Sequence, residues 1–123
     1  MNIALWVVQG LLGLTFLMVG GMKLMKSREE IAQQMAWAND FSDGQVKTIG
    51  ALELLGAIGV VLPGLVNILP ILTPLAAVGL ALIMLGAART HLRRGENQMI
   101  VVNGVLFLLA VFVVYGRFVA APF

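Results

Sequence analysis

Four long apolar runs dominate this chain and leave few folds open to it. Ile3–Met22, Val46–Leu62, Ile71–Ala88 and Met99–Gly116 each approach the ~20 residues that a helix needs to cross a hydrocarbon layer. Only the second carries charge, with Lys47 at its edge and Glu53 inside. A backbone in lipid must satisfy its own hydrogen bonds, so runs of this kind are helices. Residues are 60% hydrophobic and 11% charged, against about 25% charged in soluble domains. The expected fold class is therefore all-α, an integral membrane four-helix bundle forming one transmembrane domain over residues 1–123. The first run begins almost at Met1 with no basic leader and no small-residue cleavage pattern after it. That predicts a retained span rather than a removed signal peptide.

Four crossings return both termini to one side. Lys23, Lys26, Arg28 and Lys47 flank the link between spans one and two, and Arg89, Arg93 and Arg94 follow span three. The opposite side holds only Arg117. The positive-inside rule then puts both basic hairpins in the cytoplasm and both termini outside. A net charge of +2 is too small for a nucleic-acid interface; the bilayer is the expected partner. Absence of cysteine removes disulfides, thiolate ligands and thiol redox chemistry. With a single histidine, no metal site held by this chain alone is expected.

The link between spans one and two has structure of its own. Ser27 and Glu30 have capping-box spacing, and Ile31, Met35, Ala38 and Phe41 recur at helical spacing with Trp37 beside them. This predicts a short amphipathic interfacial helix over about residues 28–41, ended by a turn at Asp43-Gly44. Such a helix serves as a stabilising collar or as a docking surface for a soluble partner. Pro63 to Pro70 is uncharged and rich in turn-formers, so Pro63, Pro70 and Pro74 are expected to mark helix boundaries.

Helices in lipid gain no hydrophobic effect by associating, so small residues mark their packing faces. The expected inner faces are Gln9, Gly13, Phe16, Gly20 and Lys23 on span one and Gly50, Glu53, Gly56, Ala57 and Val60 on span two. On span three they are Gly79, Ile83, Gly86, Thr90 and Arg93; on span four, Asn103, Phe107, Ala110, Val114 and Arg117. Gly13-Leu14, Met18, Gly20 and Lys23 share offsets with Gly79-Leu80, Met84, Gly86 and Arg89, a pattern that a duplicated hairpin or a chance match of glycine-rich helices would both give. Tyr115, Arg117 and Trp6 are expected to anchor the outer interface.

Glu53 is the most informative residue. It lies roughly 10 Å inside span two at 1.5 Å per residue, where a lone carboxylate costs at least about 2.5–3.5 kcal/mol. Lys23, Arg89 and His91 are the groups at a depth to meet it. Two readings stand open: a ligand-binding or proton-accepting carboxylate, and a structural pair between helices. Arg93 and Arg94, beside His91, suit anionic lipid head groups. No nucleotide loop, hydrolase elbow or metal-ligand spacing occurs, so the residues themselves carry no catalytic signature.

Several of these stretches resemble one family. Gly20-Gly21-Met22-Lys23-Leu24, then Gly50-Ala51-Leu52-Glu53-Leu54-Leu55-Gly56-Ala57 through Leu62-Pro63-Gly64, are similar to the DoxX-like membrane proteins. So are Gly79-Leu80-Ala81-Leu82-Ile83-Met84 and Thr90-His91-Leu92-Arg93-Arg94-Gly95-Glu96. The likeness covers nearly the whole chain in order and spacing. It implies a four-helix protein of the bacterial inner membrane, with some relatives serving as subunits of a thiosulfate:quinone oxidoreductase and others in redox-stress complexes. By matching position, Lys23 and Glu53 would be its polar pair and His91 a third member. Without cysteine, electron transfer would need a bound quinone or a partner subunit.

The expected function is an accessory or membrane-anchor subunit of a redox-linked complex, taking a quinone or lipid in an apolar cavity near Glu53. Such a protein would meet a soluble or membrane redox partner on its cytoplasmic face. The alternatives are a ligand-free scaffold, alone or as a homodimer through its glycine faces, and a small permease.

Overall fold

The computed structural model describes residues 1–123 as helices joined by short links. Helix α1 runs Asn2–Met25, α2 Arg28–Gln34, α3 Asp43–Val66, α4 Leu72–Arg94 and α5 Asn97–Tyr115; a 3₁₀ segment, Ala36–Asp40, lies between α2 and α3. A π-helical turn, Gly116–Ala120, prolongs α5. α1, α3, α4 and α5 with its π turn are each long and apolar enough to span a membrane. The all-α four-helix bundle expected from the sequence is the fold observed.

The helices form two hairpins, α1 with α3 and α4 with α5, joined mainly along α3 and α4, while α1 and α5 touch along a much thinner seam. Leu12, Phe16, Val60, Leu80 and Val113 make the centre of the core. The outward faces are equally apolar: Leu14, Leu55, Leu82 and Leu108 are 59%, 65%, 63% and 65% exposed. Water would not tolerate such a surface over the whole bundle, and lipid does. The three links divide by character. The segment around α2 and the tight α4–α5 turn lie at one end, here the basic end, while the termini and the α3–α4 link lie at the other.

Boundaries differ from expectation in three places. The interfacial stretch is not one helix over 28–41: it breaks at Met35, which adopts an extended conformation, and continues as the 3₁₀ segment. Its capping box at Ser27 and Glu30 is present. Asp43 and Gly44 do not turn but open α3, because Ser42 caps that helix and shares a second capping box with Gln45. Pro63 lies inside α3 rather than at its end. It forfeits one intrahelical bond, and its carbonyl accepts from the Asn67 and Ile68 amides as the chain turns through left-handed Asn67 and Leu69.

The buried faces of α1 and α3 are those expected. On α4 the face is rotated. Ala77, Leu80, Ala81, Met84 and His91 point inward, and a Cβ added at Gly79 or Gly86 would meet nothing within 4 Å. The close approach on this side is made by the partner helix: Leu80 fills the space beside Gly56, where a Cβ would lie 2.5 Å from its Cδ2. The shared glycine pattern of spans one and three therefore has no counterpart in packing.

Candidate functional site

α1 and α3 cross most closely where Gly20 faces Gly50. A Cβ on Gly20 would sit 2.7 Å from the Gly50 carbonyl oxygen, and one on Gly50 would sit 2.6 Å from the Lys23 Cβ. One turn further along each helix, this approach brings the two charged groups together. Lys23 Nζ donates to Glu53 Oε1 at 2.5 Å, and both side chains are buried. The ammonium also lies 5.0 Å from the centre of the Trp37 ring, a distance at which the ring face attracts a cation.

The pair borders a cavity of about 420 Å³ between the two hairpins, in the half of the bundle nearer the basic end. Phe16, Val19, Ile83, Met84 and Leu106 give it apolar walls, and Trp37 of the 3₁₀ segment closes it together with Met35 and Phe41 at that segment's two ends. Gly86, Met99 and Val102 line it and are themselves exposed, so it reaches the outer surface between helices. The size falls in the range of small-molecule sites, which combine apolar walls with a few convergent polar groups.

Four polar side chains converge there: Lys23, Glu53, His91 and Asn103. His91 Nδ1 meets Glu96 Oε1 at 2.8 Å. This contact follows from how α4 ends. Gly95 adopts the left-handed conformation, the Glu96 amide donates back to the His91 carbonyl, and the chain reversal carries the Glu96 carboxylate over the last turn. Asn103 Nδ2 approaches Met84 Sδ at 3.5 Å, while its Oδ1 is buried without a hydrogen-bond partner.

The 3₁₀ segment is tied down over the cavity. Arg94 donates to Asp40 Oδ1 at 2.8 Å and lies 3.5 Å from Glu96 Oε1. Arg28 donates to the Phe41 carbonyl, and Lys47 Nζ donates to the Lys23 and Lys26 carbonyls at the end of α1. Cations at a helix C-terminus complement its dipole. Much of the basic cluster thus braces the protein. Lys26, Arg89 and Arg93 form no ion pair, and Arg89 and Arg93 are exposed.

Of the residues singled out in the sequence, Lys23, Glu53 and His91 line one cavity. Arg89 does not join them, because its position on α4 faces outward. Arg94 is engaged with Asp40 and Glu96, while Arg93 is free at the surface. Glu96 is a site residue with no role expected for it, although a carboxylate just after a helix-ending glycine is the signal for such a fold-back. Trp37 read as a flanking residue and is a cavity wall.

Arg117 carries two expectations, the inner face of span four and an outer interfacial anchor, and the first is the one observed: it is 4% exposed. It donates from Nε to Gln9 Oε1 and from Nη1 to Asn2 Oδ1, both at 2.8 Å, and also to the Ala121 carbonyl. The rings of Trp6 and Phe123 flank it, 5.5 Å and 4.0 Å away. Gln9 in turn donates to the Val60 carbonyl at 2.7 Å. This network closes the bundle at the end remote from the cavity. Tyr115 is exposed, as an anchor would be.

The sequence profile described as the DoxX-like family matches residues 7–113. No curated protein and no solved structure matches the chain significantly.

Proposed function

Because the chain belongs to the DoxX-like family, with a membrane bundle built around one polar cavity, we propose that it holds a quinone-class ligand between its hairpins and serves as an accessory subunit to a redox partner. The observation that carries this reading is the cavity of about 420 Å³ with apolar walls and the Lys23–Glu53 pair, His91 and Asn103 at its margin. A flat ring with an apolar tail suits that combination, and the exposed margin at Gly86, Met99 and Val102 gives a tail a route toward lipid. A ligand-free scaffold accounts less well for a buried Asn103 oxygen with no partner, since such groups are costly.

In this reading the basic end faces the cytoplasm of a bacterial inner membrane, following the positive-inside rule. The collar offers Glu29, Glu30, Gln33 and Gln34 outward as a polar surface for a soluble or membrane partner. A homodimer and a small permease are the competing architectures.

The test is quenching of tryptophan fluorescence by trimethylbenzoquinone in lipid nanodiscs. Saturable quenching that the combined Lys23→Met and Glu53→Leu substitutions abolish, in a protein that still folds, supports the proposal. Quenching that rises linearly with concentration and is equal in both proteins overturns it.

A further inference from the structure

The polar groups around the cavity are unbalanced in a way that selects among ligands. His91 is committed through Nδ1 to the Glu96 carboxylate at 2.8 Å. Asn103 directs an amide hydrogen toward Met84 sulfur, leaving Oδ1 as an acceptor, buried and unpartnered. Glu53 commits Oε1 to Lys23, and its other oxygen has no protein partner. Two acceptors, Asn103 Oδ1 and the second Glu53 oxygen, thus belong to residues that line the same space.

The buried donors are already engaged. Lys23 is held between Glu53 and the Trp37 ring, and the Asn103 amide faces the Met84 sulfur. The Thr90 hydroxyl gives its proton to the Gly86 carbonyl. Thr15 and Trp37 line the cavity but are only half-buried, so their donors are not stranded as the Asn103 oxygen is.

We infer that the cavity is built for a ligand whose head group donates hydrogen bonds, a hydroquinone or substituted phenol, in preference to the corresponding quinone. The inference rests on the quinone-class reading and names the form of ligand that this site takes. A quinone presents carbonyl oxygens only. It answers Lys23 and leaves Asn103 Oδ1 unmet. A phenolic hydroxyl donates to Asn103 Oδ1 while its oxygen still accepts from Lys23. Leaving a buried acceptor unpaired is the costly half of a hydrogen-bond exchange, and tight discrimination arises where a site's own polar groups would be stranded by the wrong ligand.

Trimethylhydroquinone and trimethylbenzoquinone have the same carbon frame and differ by two hydrogens, so their affinities isolate this effect. Titration calorimetry under anaerobic conditions, on the full chain in nanodiscs with empty-disc blanks, is expected to show the hydroquinone bound about tenfold tighter, the ratio that one unmet buried acceptor sets. Asn103→Leu is expected to reduce that ratio severalfold while quinone affinity holds or rises. A quinone bound as tightly as the hydroquinone overturns the inference and leaves the quinone-class reading intact. A ratio unchanged in a folded Asn103→Leu protein overturns it equally. Binding of neither compound refutes both readings. Should Asn103→Leu fail to fold, the wild-type ratio alone decides.

Discussion

Gly20 and Gly50 sit backbone to backbone at the crossing of α1 and α3, and the Lys23–Glu53 pair exists because they do. Any side chain on either glycine would strike the facing helix: a Cβ on Gly20 would lie 2.7 Å from the Gly50 oxygen and 2.9 Å from the Leu54 nitrogen. Neither is the movable end of a side chain. Gly79 has nothing within 4 Å. Gly20→Ala and Gly50→Ala are therefore expected to lose about 1–3 kcal/mol through overpacking. Gly79→Ala should be neutral or gain up to about 1 kcal/mol from helix propensity. Unfolding titrations in mixed micelles measure both; equal effects at Gly20 and Gly79 would refute this account of the crossing.

Breaking the ion pair and deleting it are different perturbations. Lys23 and Glu53 are both buried, so removing one leaves the other as an uncompensated charge. Glu53→Gln or Lys23→Met alone is expected to cost about 3–5 kcal/mol. The combined Lys23→Met and Glu53→Leu protein should recover most of that loss, because an apolar pair removes both desolvation penalties. A double-mutant cycle on unfolding free energy checks this, and additive losses would show that the two charges do not compensate each other.

The 3₁₀ segment covers the cavity through an ion pair that is partly solvent-exposed, with side-chain exposures of 26% for Arg94 and 46% for Asp40. Such pairs contribute about 0–1 kcal/mol. Asp40→Ala should consequently leave global stability almost unchanged. Its expected effect is local: Trp37 becomes easier to reach, with red-shifted emission and stronger quenching by acrylamide. A spectrum identical to that of the unaltered protein would mean that Arg28 and the apolar contacts of Phe41 suffice to hold the segment.

How much of this was legible follows from the length scale of each signal. Span number and the inner faces of α1 and α3 are readable because glycine spacing and one charged pair point the same way on both helices. The α4 face is not, because Gly79 and Gly86 carry the same pattern without a neighbour to receive it; small residues permit close packing but do not compel it. Pro63 misleads for a related reason. A proline near a helix end loses one hydrogen bond, and α3 tolerates that loss for its last turn. The His91–Glu96 contact depends on the left-handed Gly95 turn, a local signal. The Arg117 network depends on residues 108 positions apart, which no local pattern reports.

That network yields the last prediction. Arg117 serves two acceptors on α1 from two different nitrogens, Nε to Gln9 and Nη1 to Asn2, and lies between two aromatic rings. A lysine keeps the charge but has neither the planar fork nor the stacking face. Arg117→Lys should therefore behave almost as badly as Arg117→Met, each losing about 1–3 kcal/mol as Gln9 Oε1 is left buried and unpaired. Gln9→Leu removes that acceptor, so Arg117→Met in a Gln9→Leu background should cost less than in the wild type. The seam between α1 and α5 is thin elsewhere, and its opening should be visible as faster cross-link reversal or greater distance between spin labels placed at the ends of α1 and α5. Full rescue by lysine would reduce Arg117 to a point charge and remove the geometric argument for its burial.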